Sequence, residues 1–301
     1  MKVGVLMGGI SSEREVSLSS GNSMMQHINK EKYEVVPVVI DSKEELLEKV
    51  KDLDFALLAL HGKFGEDGTV QAVLDTLGIP YSGCDTLSSS LCMDKDLTKS
   101  VLKAKGIRTA RWLNVSSVDE IDYDAIEEMG YPVFIKPTNG GSSVATFKIT
   151  KKEDVEPAVV EGLKWDKEVM IEEFIKGDEI TCPVFDNELF PVLAIKAKTD
   201  FYDYEQKYSA NGAEHYAIDL EHSIYEEVKK MALDTYKALK CSVYSRIDMI
   251  ITEDGVPYVL EVNTLPGMTS TSLFPQSAGE KGINYPEFID MIIEYSLKKN
   301  K

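Results

Sequence analysis

The chain has 301 residues, 43% of them hydrophobic and 28% charged, with a formal net charge of −18. That length supports two or three domains with cores of their own. The acidic balance makes the chain a poor binder of a nucleic-acid backbone, and a small anionic substrate would need a local island of lysine, arginine or metal.

In chain order, "KVGVLM" (2–7) predicts a buried strand, "GGISSE" a loop and "REVSLSSGNSMMQHI" a helix with polar caps. "YEVVPVVI" predicts a second strand, "KEELLEKV" a helix, "DFALLAL" a third strand, "TVQAVLDTLG" a helix and "IPYSG" a short strand. Strands alternating with helices imply parallel βαβ units, whose ligands gather beyond the carboxyl ends of the strands. The loops Gly8–Glu13 and His61–Gly68 stand at such ends. "MDKDLTKSVLKAKGI" (93–107) predicts a helix, followed by "RWLNV", a helix around "YDAIEEMG", the strand "VFIKP" (133–137), the loop "TNGGSSV" and the strand "ATFKIT". A helix from Lys152 to Gly162 and the strand "VMIEEFI" (169–175) follow. From "GDEITCPVF" onward the pattern is antiparallel, through "AIKAK", "HYAI" and a hairpin at 245–263. The polar, aromatic segment 199–214 between them is long for a connector and reads as a lid. "SIYEEVKKMALDTYKALK" and "YPEFIDMIIEYSLKK" predict amphipathic helices. The expected units are an N-terminal α/β unit (1–92), a central unit (93–180) and a C-terminal unit (181–301).

Cys84, Cys92, Cys182 and Cys241 form no C-x-x-C pair and read as buried thiols of a reducing compartment. No apolar run reaches the length of a membrane span and no leader-like stretch opens the chain, so a cytoplasmic protein with neither membrane nor nucleic acid as partner is expected.

The most informative stretch is "SRIDMIITEDGVPYVLEVNTLPG" (245–267). Asp254-Gly255 is a two-residue hairpin signal. With that loop, Glu253 faces Val256, Asp248 faces Glu261 and Arg246 faces Asn263. All four polar residues then share one face, and Ile247, Met249, Leu260 and Val262 share the apolar one. Directly opposed carboxylates destabilise a sheet. A divalent cation reverses the balance, because Asp248, Glu261 and Asn263 offer the hard oxygens that suit Mg²⁺, a metal that also recruits phosphates. The plain alternative is a solvated face with an incidental ion pair.

Other motifs carry paired readings too. "KPTNGGSSV" (136–144) follows a strand, and its Gly140, Gly141, Ser142 and Ser143 can present backbone N–H groups to phosphate, with Lys136 as a clamp; the alternative is an ordinary turn. No Walker or dinucleotide fingerprint occurs. Lys95 in "MDKDLTK" is a second clamp or simply a helix lysine. Glu172 and Glu179 in "VMIEEFIKGDEIT" can bind a ribose or an exocyclic amine, or be solvated. Glu13 sits near a helix start, where the helix dipole favours it, and can equally bind a substrate ammonium. His61 is a substrate contact or a turn histidine with a satisfied ring nitrogen. "NTLPGMTSTSLFP" (263–275) can bind a carboxylate or an oxyanion, or be a turn into a short helix.

Taken in order, "GGISSEREVSLSSG", "LHGKFGEDGTVQ", "MDK", "IKPTNGGSSV", "YDYEQKY", "RIDMI" and "LEVNTLPGMTSTSLFP" resemble the D-alanine–D-alanine ligase family of the ATP-grasp superfamily. The resemblance implies an ATP-grasp fold, α/β and α+β, behind an N-terminal parallel-sheet domain. It implies that Lys95, Lys136 and the loop Gly140–Ser143 hold the phosphates of ATP. Glu172, with backbone groups near Phe174 and Ile175, would hold the adenine, and Glu179 the ribose. Asp248, Glu261 and Asn263 would ligate two Mg²⁺ ions, with Mn²⁺ able to substitute. Glu13 would bind the ammonium of the first D-alanine, Arg246 and the Gly267 N–H the oxyanion, and Ser272 and Leu273 the second carboxylate. Ser142, Lys207 and Tyr208 would belong to the lid, and the Lys207-Tyr208 pair points to an amine as second substrate. A homodimer is expected. The competing readings are a ligase of the same fold that uses D-lactate or D-serine, and a non-catalytic ATP-binding protein. The retained set Glu13, Lys95, Lys136, Arg246, Asp248, Glu261 and Asn263 argues against the second.

Overall fold

The computed structural model describes residues 1–142, 144–197 and 213–299. Ser143, Lys207 and Tyr208 lie outside the described residues, as does the expected lid segment up to residue 212.

The N-terminal sheet contains β1 (Lys2–Gly8), β2 (Glu34–Ile40) and β3 (Phe55–Leu58), all parallel in the order β2-β1-β3. β1 is central and buried from Val3 onward, which is why its sequence is a continuous apolar run rather than an alternating one. Helices α1 (Arg14–His27), α2 (Leu46–Val50) and α3 (Thr69–Leu77) make the connections. Gly8 and Gly9 turn the chain from β1 towards α1 with φ of 89° and 86°. A Cβ on Gly8 would stand 2.8 Å from the Ile40 carbonyl, so both the backbone conformation and the space require glycine there.

Two local expectations change. "IPYSG" forms only a bridge, Ala56 to Tyr81, instead of a strand. Pro80 has no N–H to give, and the Ser82 hydroxyl takes the Leu58 N–H at 2.8 Å that a strand carbonyl would otherwise accept. The helix expected over 93–107 is preceded by another: α4 (Thr86–Met93), which was not expected, and then α5 (Lys95–Ala104), which is the expected one. Asp94 ends the first and caps the second, accepting the Leu97 N–H at 2.9 Å. The serine-rich α4 has no apolar period to betray it, but Asp85 caps it in the same way.

The central sheet is antiparallel in the order β4-β7-β5-β6, from β4 (Trp112–Val115), β5 (Val133–Pro137), β6 (Phe147–Ile149) and β7 (Val169–Glu173). Helices α6 (Tyr123–Met129) and α7 (Val155–Gly162) close one face over Ile126, Val133, Ile135, Val155, Val159 and Ile171. The third sheet holds β8 (Gly177–Phe185), β9 (Glu188–Leu189), β10 (Leu193–Ala197), β11 (Ala213–Ala217), β12 (Tyr244–Thr252) and β13 (Pro257–Asn263), with the path β11-β10-β8-β12-β13 and β9 on β8. Helix α8 (His222–Ala238) covers one face, where Val228, Met231 and Tyr236 join Cys182, Ile247, Met249 and Val259. The other face of β8, β12 and β13 lines a cavity.

Helices α9 (Leu273–Glu280) and α10 (Tyr285–Lys299) bring the end of the chain back to its beginning. Phe288, Ile289, Ile292 and Ile293 of α10 share one apolar cluster with β1 and β3. The rings of Phe274 and Phe288 stand 5.1 Å apart within it. All four cysteines are free and buried, and among the described residues no helix is long and apolar enough to cross a membrane.

The hairpin differs from its expected turn. Thr252 pairs with Val256, its N–H giving a 3.0 Å bond to the Val256 carbonyl, so the loop is Glu253-Asp254-Gly255 and not Asp254-Gly255. A bulge between Asp248 and Met249 then shifts the register back. Beyond it Asp248 faces Glu261 and Arg246 faces Asn263, as the two-residue turn had predicted. Leu260 is the extra residue. It leaves the core face expected for it and lines the cavity beside Ile250, while Val259 takes the core position.

Candidate active site

Arg246 and Asp248 on β12 and Glu261 and Asn263 on β13 all open into one cavity of about 960 Å³. Asp248 is buried and accepts from Arg246 Nε at 3.0 Å, Arg246 Nη2 at 2.7 Å, Asn263 Nδ2 at 3.0 Å and Thr181 Oγ1 at 2.6 Å. The two-point contact fixes the plane of the guanidinium. The Asn263 amide donates to Asp248 through nitrogen, which turns its oxygen away from that carboxylate. Two opposed carboxylates and an amide oxygen on one cavity wall fit a hard divalent cation.

An adjoining cavity of about 370 Å³ runs between the central and third sheets. Lys136, Phe174, Ile175, Glu179 and Leu260 line it. Glu172 lies at its floor with Lys99 Nζ 2.6 Å from one oxygen and Lys136 Nζ 2.6 Å from the other. Burial alone would raise this carboxyl; the charges of Lys136 and Lys99 outweigh it and hold the pKa down to about 2. Each oxygen keeps a lone pair for a further donor. Lys99 is fully buried and also donates to Thr109 Oγ1 at 2.6 Å. Sequence reasoning missed it, although it stands one helical turn after Lys95 in "MDKDLTK", on the same side of α5.

The glycine-rich loop passes between the two cavities. The Lys95 ammonium donates to the Gly140 carbonyl, and Ser142 Oγ donates to Glu13 Oε1. Gly141 packs so closely that a Cβ would stand 2.7 Å from Glu13 Oε2. Glu13 makes no cap bond at the start of α1 despite its position there; its carboxylate points across to the loop.

The far end of the larger cavity is lined by Glu13, His61, Glu66, Gly267, Ser272 and Leu273. His61 is buried, and both ring nitrogens have protein partners: Nδ1 meets the Leu265 carbonyl at 2.9 Å and Nε2 meets Ser20 Oγ at 3.1 Å. Nδ1 must carry the proton to bond a carbonyl, and burial lowers the pKa, so the ring is neutral. Glu66 accepts the Gly62 N–H at 2.7 Å and the Leu265 N–H at 3.3 Å. Burial, reinforced by the charge of Glu13, pushes its pKa up to about 8. Sequence reasoning also missed Glu66; the only available signal was its place in the strand-end loop "HGKFGEDG". Gly267 leaves room for Ser272, whose Oγ would stand 3.0 Å from a Cβ at that position. Ser272 stands at the N-cap position of α9 without a side-chain cap bond, Leu273 begins the helix, and Ser272 Oγ instead accepts the Thr269 N–H at 3.0 Å.

One wall thus offers oxygens to a cation, and the wall facing it offers lysines and glycine-loop amides to phosphates. A buried carboxylate lies beyond both. Family models for the N-terminus and C-terminus of D-ala D-ala ligase match residues 2–84, in two overlapping segments (2–50 and 43–84), and residues 101–294. The chain belongs to the D-alanine–D-alanine ligase family. It is 70% identical over 299 residues to D-alanine–D-alanine ligase B of Clostridium perfringens, covering 99% of each chain. It superposes on the D-alanine–D-alanine ligase of Bacillus anthracis complexed with ATP with a TM-score of 0.91 at 46% identity, covering 100% of this chain and 98% of that one. The VanG D-Ala:D-Ser ligase of Enterococcus faecalis gives a TM-score of 0.85 at 32% identity, covering 98% and 99%. The fold of this ligase-family chain is therefore ATP-grasp, with the parallel sheet β2-β1-β3 in front of it.

Proposed function

We propose that this chain joins two molecules of D-alanine at the expense of ATP, releasing ADP and phosphate and supplying D-alanyl-D-alanine for peptidoglycan. The observation that carries the proposal is the single cavity that places Asp248, Glu261 and Asn263 opposite Lys95 and the Gly140–Gly141–Ser142 loop, with Glu13 beyond. In this reading the adenine lies between Phe174, Ile175 and Leu260, with Glu172 accepting from its amine and Glu179 from the ribose. Lys95, Lys136 and the loop amides hold the phosphates. Asp248, Glu261 and Asn263 would hold two Mg²⁺ ions, or Mn²⁺ in their place, which neutralise the charge of the transferred phosphoryl when bound.

Glu13 holds the ammonium of the first D-alanine so that its carboxylate points at the γ-phosphate. Attack gives an acyl phosphate and ADP. The amine of the second D-alanine, its carboxylate at Ser272 and Leu273, attacks the acyl carbon. Arg246 and the Gly267 N–H take the charge of the tetrahedral oxygen, and phosphate leaves. His61 serves by holding the Leu265 carbonyl, and with it the turn that carries Gly267. Ser142, Lys207 and Tyr208 complete a lid that keeps water from the acyl phosphate.

The proposal extends to a cytoplasmic homodimer with units at 1–92, 93–180 and 181–301. The second reading, D-serine or D-lactate as acceptor, has as its support the fold shared with a D-Ala:D-Ser ligase at 32% identity, against 70% to D-alanine–D-alanine ligase B. Phosphate release with ATP, Mg²⁺ and D-alanine, with products weighed by mass spectrometry, separates the two. D-alanyl-D-alanine from D-alanine alone supports the first. A mixed product dominating when D-serine or D-lactate competes at equal concentration supports the second. No phosphate with any pair would discard both.

A further inference from the structure

Among the described residues, two contacts that tie the glycine-rich loop to the loops of the N-terminal sheet bear on its position, and the mechanism uses only one. The first tie is Ser142 to Glu13. The second runs through Asp166, in the turn after α7. Its Oδ2 accepts the Asn139 N–H at 2.6 Å, and its Oδ1 meets Lys63 Nζ at 3.0 Å. Lys63 also reaches the Trp165 carbonyl at 3.4 Å. The Asp166 side chain is 8% exposed and that of Lys63 47%. A carboxylate so covered is held by design of its neighbours: burial would raise its pKa, and the Asn139 N–H and Lys63 outweigh that and lower it.

We infer that Asp166 and Lys63 are positioning residues that hold the glycine-rich loop over the phosphates of ATP. Asn139 opens that loop, one residue before Gly140, and Asp166 fixes its backbone. Lys63 belongs to the loop His61–Gly68, which also supplies His61 and Glu66 to the other end of the cavity. The Lys63–Asp166 pair therefore joins the loop over the nucleotide to the loop beside the first amino acid. The inference rests on the ATP-dependent ligase reading for the identity of both ligands. Its corollary is that filling the amino-acid end tightens the nucleotide end.

The test is binding of a β,γ-imido analogue of ATP to the whole protein by calorimetry, with and without D-alanine, for Lys63→Met, Lys63→Arg and Asp166→Ala. Lys63→Met should weaken the analogue by about two- to fivefold at low salt, because an exposed partner contributes modestly. The deficit should shrink as salt rises, and Lys63→Arg should recover most of the affinity. Asp166→Ala also frees the Asn139 N–H and should lose about tenfold or more. In steady state the ATP KM should rise with kcat changed less than about twofold, a split that general destabilisation does not produce. Lys63 is exposed, so its variants keep the test sound if Asp166→Ala folds poorly. Wild-type affinity in Lys63→Met at low salt would overturn the inference. Failure of the ligase reading looks different: D-alanine would give no heat of binding and no phosphate from ATP while Lys63→Met still weakened the analogue, whereas D-alanine that binds without tightening the analogue refutes the coupling alone.

Discussion

Asp248 and Glu261 face each other across β12 and β13 because two irregularities cancel. The three-residue turn at Glu253–Gly255 moves the strands one residue out of the two-residue register, and the bulge at Leu260 moves them back. The opposed carboxylates are thus reached through a detour, and the detour turns Leu260 towards the smaller cavity.

Asp248→Ala or Glu261→Ala should abolish Mg²⁺-dependent phosphate release. Asp248→Ala should also cost about 1–3 kcal/mol, since the Thr181 hydroxyl and Asn263 amide lose their acceptor. Turnover and thermal unfolding check both claims. Near wild-type activity in either variant would remove the proposed metal site.

Leu260→Ala and Val259→Ala should differ in kind. Leu260 lines the smaller cavity, so its truncation should raise the ATP KM several-fold with a small stability loss. Val259 is fully buried, and losing two carbons there should cost about 2 kcal/mol with little effect on KM. Steady-state kinetics and urea midpoints distinguish them; the opposite pattern would contradict the bulge.

Lys99→Met should destabilise the protein by about 3–5 kcal/mol, because it strands one oxygen of a buried carboxylate. Adding Glu172→Gln should recover part of that stability and none of the ATP affinity. Chemical denaturation of the single and double variants measures the coupling.

Glu66 gives a pH prediction of definite sign. Its folded pKa of about 8 stands above the ordinary 4.5. The folded state therefore holds a proton that the unfolded state releases, and stability falls as pH rises from about 4.5 to 8. His61 acts the other way: its lowered pKa loses stability as pH falls below its ordinary 6.5. Between about 6.5 and 8 the Glu66 slope is unopposed by His61. Glu66→Gln should flatten it, and urea midpoints at pH 6.5 and 8 should converge. A variant with the wild-type slope would assign the titration elsewhere.

The sequence by itself determined most of the local structure and the family. The apolar run of β1, the strand at 133–137 and the final helix at 285–299 were legible because burial pattern and period act over a few neighbouring residues. The alternation within each hairpin strand was legible for the same reason, but the facing pairs came right only because the three-residue turn and the bulge cancel. Only the tertiary structure decided which polar residues support that face. Lys99 reads as one more helix lysine until β7 brings Glu172 to it, 73 positions along the chain by residue number. Glu66 reads as a loop acid until Leu265 donates to it from the far end of the hairpin. Asp166 reads as the end of a turn until Lys63 and Asn139 meet there. These residues act through burial and through partners distant in sequence. Pattern records neither, because desolvation and charge pairing depend on what the folded chain places within a few ångströms.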